Sequence, residues 1–273
     1  MIDRRTFSAA AVAAPAAGLL AATPASAAPH TPAAHAPAPS ATPPATPAPR
    51  ARNVVLVHGA YTDGSSWTEV IKRLQAKGFT VTSVQNPLSS VAADVDATRR
   101  VLDLQDGPTV LAAHSYGGVV ISQAGDHPAV TSLVYVAARA PEAGEDYGAL
   151  AARFPTPPAS AGLVFRDGFG QLTEEAFLDD FANGVDQDTA RALYVVQGRI
   201  AQDLFATRTT AAAWRDKPSW YAVSKRDRTA SPDLQRFVAQ RMGARTVELD
   251  SGHLSLVTHP REITDLIVSA AGH

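Results

Sequence analysis

Short apolar runs recur along this chain with helical patterns between them, and that alternation constrains the fold more than any other feature. Asn53-Val54-Val55-Leu56-Val57, Thr109 to Ala113, Val130 to Ala137 and Trp220 to Ser224 are too short for buried helices. They also lack the apolar–polar alternation of a half-exposed strand, so each reads as a strand covered on both faces. Phe79 to Val84 and Arg245 to Leu249 are further strand candidates. Between them, Trp67, Val70, Ile71 and Leu74 recur at helical spacing until Gly78. Val91, Val95, Thr98 and Leu102 share one face of a helix over 91–104. A helix follows the Thr109–Ala113 strand to about Gly125, and Ser231-Pro232-Asp233 opens another to Met242, stopped by Gly243. A last helix spans 260–271. Strands separated by helices pair in parallel, so the spacing predicts an α/β fold: a mostly parallel central sheet with helices on both faces.

Residues 139–216 break the rhythm. Pro141, Pro155, Pro157 and Pro158 are followed by helical patterns near 173–183, 189–197 and 201–214. The segment is far longer than an ordinary connection of roughly 2–6 residues, so an inserted helical cap is expected there.

The first fifty residues read differently. Arg4 and Arg5 precede a weakly apolar run, Ser8 to Ala22, interrupted by Pro15 and Gly18 and followed by Ala25-Ser26-Ala27. This is the layout of a signal peptide over 1–27, cleaved before Ala28. Asp3-Arg4-Arg5-Thr6-Phe7 resembles a twin-arginine export motif, departing from it at Asp3 and Ala9. Residues 28–50 hold 8 Pro and 8 Ala and cannot build a core, so they read as a linker. The expectation is an exported protein whose folded unit is 51–273. No later stretch has the roughly 18 consecutive apolar residues of a membrane span, so none is expected in the mature chain.

The chain has no cysteine, which removes disulfides, Cys-ligated metals and a Cys nucleophile. A formal net charge of −2 gives no global signal for a nucleic-acid partner. Chemistry concentrates instead at the carboxyl ends of predicted strands, where open α/β sheets place their sites. Ala113-His114-Ser115-Tyr116-Gly117-Gly118 lies between a strand and a helix. It has the form of a G-x-S-x-G nucleophile elbow with Ala113 in place of the first glycine. A nucleophilic Ser115 needs a base, and the base needs an orienting acid. Among the histidines of the folded unit, His253 directly follows the last strand. His127 and His259 precede prolines and read as superficial, and the His58 side chain reads as structural. Asp227, after strand 220–224, is the expected acid. Asp250 is too close in sequence to His253, and Glu142 is the alternative.

With these residues in place, the sequence resembles the α/β-hydrolase superfamily over 53–271. Val57-His58-Gly59-Ala60, the 113–118 elbow and Ser251-Gly252-His253-Leu254 are similar to its small-esterase and hydroxynitrile-lyase branch, which includes pyrethroid-hydrolase-like proteins. The resemblance implies a Ser115–Asp227–His253 triad in the chain order Ser, Asp, His. It implies oxyanion donors at the backbone N–H groups of Ala60 and Tyr116, and chemistry without metal or organic cofactor. Lyases of the branch carry Lys after the catalytic His and Thr after the loop His; here those positions are Leu254 and Gly59. The implied activity is therefore an exported serine carboxylesterase. Two alternatives remain on the same scaffold: a non-hydrolytic enzyme (a C–C lyase or cofactor-free oxygenase), or a ligand-binding protein with a vestigial triad. The cap segment is rich in Leu and Phe, and its arginines, such as Arg153 and Arg215, are interspersed with acids such as Asp179 and Asp180. Small to medium uncharged ester substrates are expected.

Overall fold

The computed structural model describes residues 50–273; the segments read as signal peptide and linker lie outside the described residues, save Arg50. Nine strands are present among them. They are β1 (Asn53–Val57), β2 (Thr80–Val84), β3 (Thr109–His114), β4 (Val130–Val136), β5 (Leu163–Arg166), β6 (Phe169–Leu172), β7 (Ile200–Ala201), β8 (Ser219–Ser224) and β9 (Arg245–Leu249). The α-helices are α1 (Thr68–Ala76), α2 (Val91–Leu102), α3 (Gly117–Ala124), α4 (Tyr147–Ala151), α5 (Glu174–Ala176), α6 (Gln187–Val195), α7 (Pro232–Arg241), α8 (Ser255–Thr258) and α9 (Pro260–Ala270).

Six strands form a parallel sheet in the order β2-β1-β3-β4-β8-β9. The most apolar sequences occupy the middle: β1, β3 and β8 are buried at every residue. The more polar β2 and β9 take the edges, each buried only at its last residue. The path through this sheet runs from β1 out to β2, then crosses back to β3 before growing outward. That reversal leaves a crevice at the carboxyl ends of β1 and β3, the topological switch point where such sheets bind ligands.

Local sequence explains the helix boundaries. The Ser90 hydroxyl accepts from Ala93 N at 3.1 Å and caps α2. The face carrying Val91, Val95, Thr98 and Leu102 is buried, and the helix ends at Leu102, leaving Leu104 exposed. Gly78 and Gly243, with φ of +83° and +62°, end α1 and α7 in the left-handed region that L-residues avoid. Ser231 precedes Pro232 at the start of α7, but its hydroxyl makes no capping bond.

The insertion between β4 and β8 is mixed rather than purely helical. Asp167-Gly168 forms a two-residue turn with both φ positive, +52° and +78°. Such a turn matches strand twist, so β5 and β6 close as an antiparallel hairpin, to which β7 adds a third strand. The helix expected over 201–214 is replaced by β7, turns and one 3₁₀ turn at Ala213–Arg215. Hydroxyl side chains there take backbone acceptors instead: Thr207 Oγ1 donates to Asp203 O and Thr209 Oγ1 to Glu142 O. Among the described residues no helix is long and apolar enough to cross a membrane.

Candidate active site

Ser115 follows β3 directly and has φ of +52°, in the left-handed region. For a non-glycine residue this conformation costs of order 1–3 kcal/mol and persists only when its surroundings over-determine it. They do so here. Ser115 N–H donates to Val136 O (3.0 Å), while its carbonyl accepts from Gly118 N (3.1 Å) and Arg139 N (3.0 Å). The turn is tight enough to need its small residues. A Cβ on Gly118 would lie 2.0 Å from Arg139 O, and one on Gly117 would lie 2.7 Å from His58 O. The sharp turn leaves the Ser115 side chain partly exposed on the wall of a cavity while its neighbours are buried.

His253 and Asp227 arrive from the loops after β9 and β8. Ser115 Oγ lies 2.9 Å from His253 Nε2, and His253 Nδ1 lies 2.7 Å from Asp227 Oδ2. A carboxylate only accepts, so Nδ1–H donates to Asp227, and Nε2 is left to accept from the serine hydroxyl. Both the His253 and the Asp227 side chains are fully buried. Asp227 Oδ1 accepts from Thr229 N (2.7 Å) and Ala230 N (2.8 Å), and Oδ2 also accepts from Gln235 Nε2 (2.7 Å). The alternative acid, Glu142, lies elsewhere, paired with Arg215. Asp250 pairs with Arg226 at 2.9 Å, while His127 and His259 bond to Asp103 and Thr258 away from Ser115.

The loop after β1 holds the other predicted feature. His58 is buried; its Nδ1–H donates to Gly59 O (2.8 Å) and its Nε2 accepts from Asn86 N (2.8 Å). Those partners fix one neutral tautomer, and burial lowers its pKa. The ring thus shapes the loop that carries Ala60, which lines the cavity beside Ser115. Tyr116, after the serine, is buried at the start of α3. Among the described residues neither the Ala60 nor the Tyr116 N–H has an acceptor in the chain, so both remain free to donate. His114 is buried beneath His253, ring centroids 4.7 Å apart, and its Nε2–H donates to His253 O at 3.1 Å. Burial, with the neighbouring imidazole, holds its pKa far below the usual value, so it stays neutral.

The cavity measures about 230 Å³. Ala60, Tyr61, Ser115 and His253 line it from the sheet side, and Tyr147, Leu163, Leu172 and Phe205 from the insertion. Phe181 backs the imidazole, its ring 5.2 Å from that of His253. Phe165 and Phe169, also in the insertion, remain exposed. Two contributors, Gln235 and Arg139, were not singled out from sequence. The guanidinium of Arg139 lies 4.1 Å from the Phe205 ring centroid, and the residue lines the cavity. A single arginine in the loop after β4 leaves no pattern in the sequence.

Comparison with known proteins agrees with this architecture. The chain is 26% identical over 242 residues to the alpha/beta hydrolase nvfD of Aspergillus novofumigatus (strain IBT 16806), covering 80% of this chain and 96% of that protein. It is 30% identical over 128 residues to the carbendazim hydrolyzing esterase of Nocardioides sp. (strain SG-4G), covering 41% and 52%. The crystal structure of polyneuridine aldehyde esterase superposes with a TM-score of 0.69 at 16% identity, covering 80% of this chain and 98% of that one, a likeness of fold. The family model described as "Alpha/beta hydrolase family" matches residues 54–266, most of the chain. Taken with the parallel sheet and the strained serine turn at its carboxyl edge, the match identifies the chain as a member of the alpha/beta hydrolase family.

Proposed function

We propose that this protein is an exported carboxylic-ester hydrolase that works through an acyl-enzyme on Ser115. The observation that carries the reading is the continuous line of hydrogen bonds from Ser115 Oγ through His253 to Asp227, ending at a cavity wall. In this mechanism His253 Nε2 takes the serine proton as Oγ attacks the ester carbonyl. Asp227 holds the tautomer and steadies the imidazolium that forms. The Ala60 and Tyr116 N–H groups receive the developing oxyanion, each worth about 2.7–4 kcal/mol in the transition state. The imidazolium then protonates the leaving alcohol. His253 next activates water to release the acid and free Ser115. The esterase names of the partly matching Nocardioides relative and of the structural neighbour support ester substrates. The modest, largely apolar cavity favours small to medium ones.

The test is labelling with a fluorophosphonate probe beside hydrolysis of p-nitrophenyl acetate and butyrate. Ser115 is expected to carry the label, and Ser115→Ala to lose turnover by roughly 10⁴-fold or more with its melting temperature retained. Wild-type turnover in Ser115→Ala would remove the assignment.

A further inference from the structure

Among the described residues Arg139 stands out as a cation without a counter-ion beside the nucleophile. Its backbone N–H is bonded to the carbonyl of Ser115 at 3.0 Å, so the residue is fixed relative to the serine turn. Its side chain is half-buried on the cavity wall. Two π faces hold the guanidinium: Phe205 at 4.1 Å and Tyr147 at 5.4 Å from the ring centroids. Such contacts ease the burial of a cation but leave its N–H donors unspent.

No group among the described residues balances this charge. The acids on the same loop are committed elsewhere, Glu142 to Arg215 and Glu145 to Arg241. Buried Asp94 accepts from Tyr116 Oη at 2.7 Å and from Leu88 N at 2.8 Å. The surrounding phenols cannot supply a negative charge either. Burial pushes Tyr61 and Tyr116 far above the usual phenol range and Tyr147 up to about 12. Burial also lowers the pKa of Arg139, though a guanidinium starts high enough to stay charged at neutral pH. A charge kept half-dehydrated with free donors costs stability unless a ligand pairs with it.

We propose that Arg139 is a specificity-determining residue that binds a carboxylate on the substrate, so that the ester cleaved at Ser115 is a short half-ester bearing a free acid group. This rests on the esterase reading and replaces its expectation of uncharged substrates. A guanidinium is suited to the task because its planar fork meets a carboxylate with two parallel hydrogen bonds. The cavity, about 230 Å³, lies below the ~300–1,000 Å³ of pockets for drug-sized ligands, so both ends of the substrate must be close together.

The experiment pairs charged with neutral esters of similar length. Monoethyl glutarate against ethyl pentanoate puts the acid on the acyl half; 4-acetoxybutyrate against pentyl acetate puts it on the alcohol half. In the wild type, kcat/KM for the charged member of at least one pair should exceed that of its neutral partner by about 10- to 100-fold, the range of a charged hydrogen bond. Arg139→Met should collapse that ratio to near or below one, and Arg139→Lys should restore part of it. A purely structural arginine would lower both members together and leave the ratio alone. Separately, glutarate should bind Ser115→Ala by calorimetry and not bind Ser115→Ala/Arg139→Met, a result independent of turnover. Turnover of the neutral esters with no preference for either charged one overturns the Arg139 proposal while the esterase stands. Arg139-dependent glutarate binding in a protein that hydrolyses no ester sinks the esterase reading and keeps the anion site.

Discussion

Four donors converge on the Asp227 carboxylate, two on each oxygen, which fills the roughly four lone-pair sites such a group offers. A carboxylate so saturated is held in one orientation, and it holds His253 in turn. Gln235 is the least expected of the four. It is buried on α7 and spans the site: Nε2 donates to Asp227 Oδ2, while Oε1 accepts from Ser224 N at 2.9 Å. Asp227→Asn replaces an acceptor with a donor among donors and should lower kcat by about 10⁴-fold. Gln235→Leu keeps the carboxylate but frees it to turn. It should lower kcat by about tenfold with little change in KM, and should cost about 1–3 kcal/mol of stability through the orphaned Ser224 N–H. Glu142→Gln disturbs a partly exposed pair with Arg215 and should leave kcat within about twofold, since such pairs contribute little. Steady-state kinetics on one aryl ester, with denaturant melts, ranks the three; greatest damage from Glu142→Gln would move the acid to the loop after β4. That Ser115, Asp227 and His253 stand at one end of the sheet was legible because each follows a strand at a recognisable offset; their hydrogen bonds to one another support the roles proposed for them. Gln235 left only a faint mark, a polar residue set against the buried stripe of Leu234, Val238 and Ala239.

The strand–turn–helix unit of β3 and α3 has to bring Ser115 close to three other loops, and its glycines are where those approaches are closest. Gly118 faces the Arg139 carbonyl and Gly117 those of His58 and Val57, all at distances no Cβ tolerates. Gly78 serves a different need: no atom of the described residues lies within 4 Å of its Cβ position, and only its φ of +83° favours glycine. The two kinds should separate on substitution to alanine. Gly78→Ala should cost about 1 kcal/mol and leave activity intact. Gly118→Ala should cost about 1–3 kcal/mol of overpacking and also lower kcat, because Arg139 must move and its N–H holds the Ser115 carbonyl. Melting curves and ester turnover together decide; full activity in Gly118→Ala would mean that the turn is not held as described. The unit was readable from sequence because strand, elbow and helix are contiguous. The insertion was less so. Asp167-Gly168, between Leu163-Val164-Phe165-Arg166 and Phe169-Gly170-Gln171-Leu172, is a hairpin signal that the nearby prolines and helical patterns obscured. β7 is only two residues long and exists through its pairing with Phe169 and Gly170, which no local propensity announces.

At the scale of the molecule, the described fold closes on itself just before β1. Ala51 is buried; its N–H donates to Ala271 O at 3.0 Å, and its carbonyl accepts from His273 Nε2 at 3.1 Å. Arg52 O accepts from Thr80 N at 3.0 Å, extending the β1–β2 ladder. The end of α9 is thereby fastened to the segment leading into β1. We propose that the folded unit has its edge within a residue or two of Arg50 and that what precedes it serves export and not folding. The arginine pair, weakly apolar run and Ala25-Ser26-Ala27 support a signal removed before Ala28. Two consequences can be measured. N-terminal sequencing of protein secreted by an exporting host should begin at Ala28; secreted protein beginning at Met1 would overturn the processing site. Chains begun at Ala28 and at Arg50 should melt together and turn over the same ester equally. A chain begun at Asn53 loses three backbone acceptor or donor partnerships and the burial of Ala51, together about 2–4 kcal/mol. At roughly 2–4 °C per kcal/mol for a unit of this size, its melting temperature should fall by about 5–15 °C. An Arg50 chain that melts as low as the Asn53 chain would place the edge of the fold earlier, inside the stretch read as linker.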